Sequence, residues 1–259
     1  MNSPIVTLTT DWGEEGFFSG MVKGLLYSQI EGVRVVDITH RLESYNVMTA
    51  TFVVRYGCMG FPEGTIHIVD VATREPFLCF KVHGQYFLCC DNGLPLMAFG
   101  DEIEDVSLLQ THDGGVYNFA AYTVFARVAA ILAQGASMRD LGPKPQSLLQ
   151  RNLPRFIQQG DCYRIYVHYV DSYGNAYLGM KYREFEGLRG DRQFVLSVLD
   201  QEVTELVAGY WQQNASNDPR RKLRLTVSAT GLLELAVKES SLAQLLGVRV
   251  NSSVLLRFK

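Results

Sequence analysis

The sequence lacks the features of several broad classes of protein. Its 259 residues carry a net charge of −3, and without a basic stripe they offer no electrostatic surface for nucleic acid. No apolar run approaches the roughly 20 residues that span a bilayer. The first residues also lack a basic segment followed by an apolar one. We therefore expect no signal peptide, no nucleic-acid or membrane partner, and a cytoplasmic location.

Cysteine and the common catalytic motifs are equally scarce. Five cysteines without CxxC spacing argue against a disulfide framework and against a zinc knot. The motifs GxGxxG, GxxxxGKS/T, GxSxG and HExxH are all missing, which removes the usual phosphate cradles, the nucleophile elbow and the helical zinc site. We therefore predict no metal and no cofactor.

What is present is a clear change of pattern along the chain. Apolar, β-branched runs at 4–9, 33–38 and 65–71 are typical of buried strands. Residues 17–30 carry apolar side chains at helical spacing, and residues 117–134 predict a long buried helix. This alternation predicts an α/β domain at 1–141, with a mostly parallel sheet and helices on both faces.

The second part of the sequence reads differently. Residues 142–160 contain several prolines and glycines among polar residues, which is the composition of a linker. Short β-type runs follow at regular spacing through residues 161–259. They predict a smaller all-β domain, either a barrel or a sandwich.

Polar residues at the predicted strand ends are candidates for a binding site. Asp11 follows the first strand, at the edge of an α/β sheet where ligands bind. It could accept both hydroxyls of a ribose, or it could cap a helix or order the turn. His40, after the second strand, is either an acid or base near neutral pH or a hydrogen-bond partner of a loop. Tyr45 could stack on a ligand ring or belong to the core.

A second candidate site lies in residues 171–175, which read Asp-Ser-Tyr-Gly-Asn. Asp171 could meet an ammonium group and Asn175 could read the edge of an adenine, with Tyr173 beside them as a stacking ring. The alternative is a plain hairpin turn, because aspartate, glycine and asparagine are all turn residues.

Several segments, in this order, resemble motifs of the S-adenosylmethionine hydroxide adenosyltransferases. Residues 5–13 (IVTLTTDWG) resemble the family's opening TLTTDFG, and residues 36–40 (VDITH) are identical to its VDITH. The other segments are 20–24, 61–67, 91–94, 171–175 and 228–237, which resemble GxMKG, FPxGTVH, DNGL, DxFGN and NSxGxLEIAV. The resemblance rests on the ordered set, which runs from residue 5 to about 250, and on no single motif.

The resemblance implies an N-terminal α/β domain, a C-terminal β-barrel and a homotrimer. In such a trimer, S-adenosylmethionine lies as substrate between the N-terminal domain of one subunit and the C-terminal domain of its neighbour. The implied roles follow motif position. Asp11 would hold the ribose hydroxyls and Tyr45 would form an aromatic wall. Asp171 would meet the methionine ammonium, Asn175 would read adenine, and Ser228 would contact the amino-acid end.

The implied reaction is the cleavage of S-adenosylmethionine to adenosine and methionine by water or hydroxide, with a catalytic Asp, Arg and His. With a two-residue gap after the third strand, Asp70 and Arg74 fill the Asp and Arg positions; without the gap, Ala72 falls where the Asp belongs. An exposed ion pair is the alternative role for Asp70 and Arg74. The His position is Ala120, and the Arg of that same motif is Tyr122.

These departures leave three hypotheses open. The chain could be a hydrolase, or an enzyme of the same fold that uses a halide as nucleophile. It could be a catalytically inactive homologue that binds S-adenosylmethionine or adenosine. It could also be an oligomeric α/β protein whose cleft binds something else.

Overall fold

The computed structural model describes residues 3–109, 118–210 and 223–259. Their contacts divide the chain into two compact units, Met1–Asn152 and Leu153–Lys259, and the boundary falls within the predicted linker.

The strands are β1 (Ile5–Thr10), β2 (Arg34–Thr39), β3 (Ile66–Asp70), β4 (Phe77–Val82), β5 (Gln85–Cys90), β6 (Asp105–Leu108), β7 (Phe156–Gln159), β8 (Cys162–Val170), β9 (Ala176–Lys181), β10 (Phe194–Val198), β11 (Gln201–Val203), β12 (Leu223–Val227), β13 (Leu232–Val237) and β14 (Ser253–Phe258). The helices are α1 (Phe18–Gln29), α2 (Val47–Gly57), α3 (Leu94–Ala98), α4 (Ala126–Ala133), α5 (Met138–Leu141), α6 (Tyr182–Arg189) and α7 (Leu242–Leu246), with a 3-10 turn at Gly100–Glu102 and a π-helical turn at Ala121–Phe125.

The first unit is built on a six-stranded sheet in the order β2-β1-β3-β5-β4-β6. The first four strands in this order pair in parallel, and β4 is antiparallel to both of its neighbours. Side chains of β5 alternate between two cores: Leu88 and Cys90 belong to the core that includes residues of α1 and α4, and Phe87 and Cys89 to the core that includes residues of α2 and α3. Helices therefore cover both faces, which confirms the predicted α/β class.

The second unit is an eight-stranded sheet in the order β11-β10-β14-β8-β9-β13-β12, with β7 added beside β8. Its named strand pairs are all antiparallel. A bridge between Leu206 and Leu225 joins the segment after β11 to β12, so the sheet is nearly closed into a barrel. The predicted barrel is thus confirmed, although α6 and α7 accompany the strands.

Two sequence-based expectations differ from the structure in detail. The predicted linker 142–160 contains β7, which the prolines around it concealed and which is held by pairing with β8. The first residue of the predicted helix 117–134 lies outside the described residues, residues 118 and 119 are not helical, and a π-helical turn followed by α4 makes up most of the rest. At the start of this turn Phe119 has a φ of 68°, and its carbonyl accepts the N–H groups of both Tyr122 and Thr123. Of the helices described, none has the length and apolar character needed to cross a bilayer.

Candidate functional site

A cavity of about 490 Å³ opens in the first unit beside the carboxyl ends of β1 and β3. This is the edge at which parallel α/β sheets bind ligands, because the loops there can converge above the strands. The lining residues are Asp11, Trp12, Ser44, Tyr45, Asp70, Ala72, Thr73, Arg74, Glu75, Phe77, Phe119 and Ala120. The structure therefore brings Asp11, Tyr45, Asp70 and Arg74, four of the predicted site residues, around one cavity.

At the rim of this cavity, Asp11 connects the turn after β1 to the loop before α2. Its Oδ2 accepts the backbone N–H of Tyr45 at 2.8 Å. Tyr45 has a φ of 66°, in the left-handed region that costs free energy for a residue with a side chain. Tyr45 is 80% exposed, so its alternative assignment to the core is wrong. Asp11 does not cap α1, whose N-cap is Phe17.

Asp70 is the last residue of β3 and is buried, with 6% of its surface exposed. Its Oδ2 accepts the indole N–H of Trp12 at 2.8 Å, whereas its Oδ1 has no hydrogen-bond partner. Burial raises the pKa of Asp70, the nearby hydroxyl of Thr73 and the indole of Trp12 lower it, and the charge of Asp11 raises it. Asp70 is thus a desolvated carboxyl group with one unused oxygen, which does not fit the alternative of an exposed ion pair.

The loop after β3 is held by contacts from the end of β5 and from the turn that follows β5. Asn92 Nδ2 donates to the carbonyl of Val71 at 3.0 Å, and Cys90 Sγ lies 3.6 Å from the carbonyl of Ala72. Ala72 lines the cavity in a left-handed conformation, with a φ of 49°. These contacts hold the loop that carries Thr73 and Arg74, and Arg74 is exposed at the cavity. The Asn-Gly turn signal alone did not predict that Asn92 would hold the loop after β3.

Trp12 is packed between the sheet and the cavity. Its ring stacks on His40 with centroids 5.6 Å apart, and it meets the edge of Phe119 at 4.9 Å. His40 is buried, and its Nδ1 lies 2.7 Å from Thr10 Oγ1. His40 Nε2 is 3.2 Å from Asp37 Oδ1. Both ring nitrogens of His40 are therefore engaged behind Trp12, which favours its structural role over an acid–base role.

The predicted binding turn of the second unit is ordered by its own carboxylate. Asp171 Oδ1 accepts the backbone N–H groups of Tyr173 and Asn175, both at 2.9 Å, and Asp171 Oδ2 accepts Asn175 Nδ2 at 3.2 Å. Asn175 and the exposed ring of Tyr173 line a separate cavity of about 610 Å³, together with Tyr210 and residues 236–240. Asp171 is not among the described residues that line it.

Ser228, the third predicted residue of this unit, is buried in the turn after β12. Its Oγ lies 2.7 Å from Thr230 Oγ1 and donates to the carbonyl of Leu232 at 3.1 Å. Ser228 also lies outside the described lining of the second cavity. Ser228 therefore stabilises the turn between β12 and β13. Its contact with a ligand stays a prediction.

Sequence reasoning missed a buried carboxyl group in this unit. Glu234 lies on β13 and accepts a hydrogen bond from the hydroxyl of Tyr210. Burial raises the pKa of Glu234, the Tyr210 hydroxyl lowers it, and the charge of Asp171 raises it. Burial, then the charge of Glu234, also raises the pKa of Tyr177 to about 12. The signal was a lone acidic residue within a strand of apolar residues. Within the described residues, no group of three or more His, Cys, Asp or Glu could hold a metal ion.

Curated relatives match most of the chain. A protein of Salinispora tropica named (R)-S-adenosyl-L-methionine hydrolase is 27% identical over 261 residues, which cover 95% of this chain and 95% of that protein. A protein of the same name from Salinispora arenicola is 29% identical over 188 residues, covering 68% of this chain and 72% of that protein.

Solved structures share the whole fold. A structure of an uncharacterized conserved protein from Thermotoga maritima superposes with a TM-score of 0.83 at 22% identity, covering 98% of this chain and 99% of the other. A conserved hypothetical protein from Thermus thermophilus gives a TM-score of 0.73 at 22% identity over the full length of both chains.

Family models match both units. The model of the SAM hydroxide adenosyltransferase N-terminal domain matches residues 6–142, more than half of the chain, and that of the C-terminal domain matches residues 165–255. Both matches agree with the ordered motifs and with the two folds seen here. The chain belongs to the SAM hydroxide adenosyltransferase family.

Proposed function

We propose that this protein cleaves S-adenosylmethionine to adenosine and methionine, with water or hydroxide as the nucleophile. The observation that carries the proposal is the single cavity lined by Asp11, Asp70 and Arg74 in a chain that both domain models match. The relatives named (R)-S-adenosyl-L-methionine hydrolase support the same reaction.

The chemistry asks little of the protein beyond positioning. A water oxygen attacks the ribose 5′ carbon, the bond from that carbon to sulfur breaks, and its electron pair stays on sulfur. Methionine leaves as a neutral thioether, and the proton of the water passes to a base and then to solvent. Orientation and desolvation of the nucleophile are therefore the main contributions to the rate.

Asp70 is the group best suited to take the proton. Its raised pKa makes it a stronger base than an ordinary carboxylate, and one of its oxygens carries no hydrogen bond. Asp11 fits the ribose hydroxyls at the rim, and the Arg74 guanidinium at the cavity could orient the nucleophile. Ala120 also lines the cavity, but its methyl group can neither move a proton nor hydrogen-bond. Proton transfer in this proposal therefore depends on Asp70 without a histidine.

The assembly and the second half of the ligand site belong to the same proposal. Asp171, Asn175 and Ser228 of a neighbouring copy would contact the methionine and adenine parts, in a cytoplasmic homotrimer. Light scattering of the purified protein measures the trimer directly. A monomer in solution that still cleaves the substrate would refute the shared site without refuting the reaction.

The test of the reaction is product analysis by chromatography after incubation with each sulfonium epimer of S-adenosylmethionine. We expect adenosine and methionine in equal amounts, with the (R) epimer preferred. Asp70→Asn should lose this turnover. Asp161→Asn, which changes an exposed carboxylate in the other unit, should keep it. Saturable binding without product would support the inactive binding protein instead, and a halogenated adenosine formed only with added halide would identify a halide as the nucleophile.

A further inference from the structure

Trp12 makes a contact that none of the motif-based roles includes. Its indole N–H donates to Asp70 Oδ2 at 2.8 Å, across 58 positions of sequence. The matching motif letter in the family's TLTTDFG is Phe, whose ring has no donor. Trp12 and Asp70 both line the cavity at the ends of β1 and β3. The hydrogen bond therefore joins the turn after β1 to the end of the adjacent parallel strand β3, beside the cavity in which we propose the reaction.

The indole is itself held firmly. One face stacks on the buried His40 at an interplanar angle of 15°, and the ring meets Phe119 and Phe18 with centroids 4.9 Å and 6.5 Å away. Packing of this kind limits the orientations of the ring and therefore of its N–H. A donor fixed in this way fixes the plane of the carboxylate that it contacts.

We infer that Trp12 is a positioning residue for Asp70: its N–H holds Oδ2 and so fixes the orientation of the carboxylate that receives the proton of the nucleophile. This inference rests on the proposed function. In a catalytic set with a histidine, several side chains would share the task of orienting the reacting groups, and here the indole of Trp12 takes over part of that task. This explains how a chain with Ala120 in the histidine position can keep a base of defined orientation.

The same contact affects when Asp70 is charged. The indole N–H favours the carboxylate and lowers the pKa of Asp70, against burial and the charge of Asp11, which raise it. The other titratable groups near Asp70 are Cys90 on β5 and the cavity-lining Tyr45, Arg74 and Glu75. Removal of the donor should therefore leave Asp70 protonated up to a higher pH.

The test compares Trp12→Phe with Phe18→Leu. Trp12→Phe keeps an aromatic ring against His40 but removes the N–H, so we expect kcat to fall about tenfold, KM to stay within about twofold, and the acid limb of the pH–rate profile to move to higher pH. Phe18→Leu removes one of the rings packed on Trp12 but keeps the N–H donor, so its acid limb should move less than that of Trp12→Phe.

A second readout does not need turnover. The carboxyl carbon of Asp70, labelled with carbon-13 and assigned by its loss in Asp70→Asn, should titrate at higher pH in Trp12→Phe. If that variant does not fold, a benzothiophene analogue of tryptophan at position 12 removes the N–H at nearly constant shape. An unmoved carboxyl titration, or a kcat within twofold of the wild type, would overturn the inference. A wild-type protein without turnover would sink the proposed function alone, because the titration still measures the contact of Trp12 with Asp70.

Discussion

The two carboxylates Asp70 and Asp171 lie in similar places in sequence, each just after or at the end of a strand, yet their surroundings are opposite. Asp171 gives both oxygens to its own turn, with three hydrogen bonds from residues within four positions. Asp70 is buried, takes one hydrogen bond from a distant indole and leaves its other oxygen without a partner. A carboxylate satisfied by its own loop orders that loop, whereas a buried carboxylate with an oxygen left without a partner is typical of catalytic sites, which supports the role proposed for Asp70.

The largest effect that this contrast predicts concerns turnover. Asp70→Asn keeps an oxygen for the indole of Trp12 but cannot accept a proton, so kcat should fall by about a thousandfold with little change in KM. Steady-state kinetics at several pH values measure both constants. A fall of less than tenfold would mean that some other group accepts the proton.

The matched change in the second unit should alter binding and spare chemistry. Asp171→Asn removes a negative charge without changing the size of the side chain, so KM should rise about tenfold with kcat nearly unchanged. Asp161→Asn, at an exposed site in the same unit, serves as the control for a general loss of charge. A drop in kcat alone would place Asp171 near the reacting atoms and erase the contrast with Asp70.

The sequence predicted the contrast only in part. The alternation of strands and helices along the chain and the polar residues at strand ends were enough to predict the parallel sheet, a second all-β domain and a candidate site at the carboxyl edge of the sheet. Hydrophobic periodicity left barrel and sandwich open, and the family resemblance pointed to the barrel. The hydrogen bond from Trp12 to Asp70 was beyond reach, since it depends on the register between β1 and β3, where Thr10 pairs with Asp70. Glu234 was missed for a similar reason, because its partner Tyr210 lies 24 residues away.

A smaller effect is expected at the rim of the first cavity. Tyr45→Ala removes an exposed ring but leaves the backbone N–H that Asp11 accepts, so affinity for adenosine should fall about fivefold through lost stacking. The melting temperature should stay within about 1 °C, because the ring has few contacts to lose. Calorimetry with adenosine measures the affinity. The control is Tyr27→Ala, which removes another exposed aromatic side chain that is not among the described residues lining the cavity.

The smallest expected effect is a change in melting temperature, and it has opposite signs for substitutions of Asp70 and Asp171. The pKa of Asp70 is raised above its value of 3.8 in the unfolded chain, so ionised Asp70 costs stability at neutral pH, and this cost vanishes as the pH falls toward 3.8. Asp70→Asn removes the cost and should raise the melting temperature by about 2 °C at pH 7.5, with the gain shrinking toward pH 4.

Asp171→Asn instead turns an amide toward Asn175 Nδ2, loses one hydrogen bond and should lower the melting temperature by about 2–4 °C. Calorimetric unfolding of both variants at the two pH values decides the matter. If Asp70→Asn destabilised the protein at pH 7.5, Asp70 would be a satisfied structural carboxylate like Asp171, and its availability for chemistry would have to be abandoned.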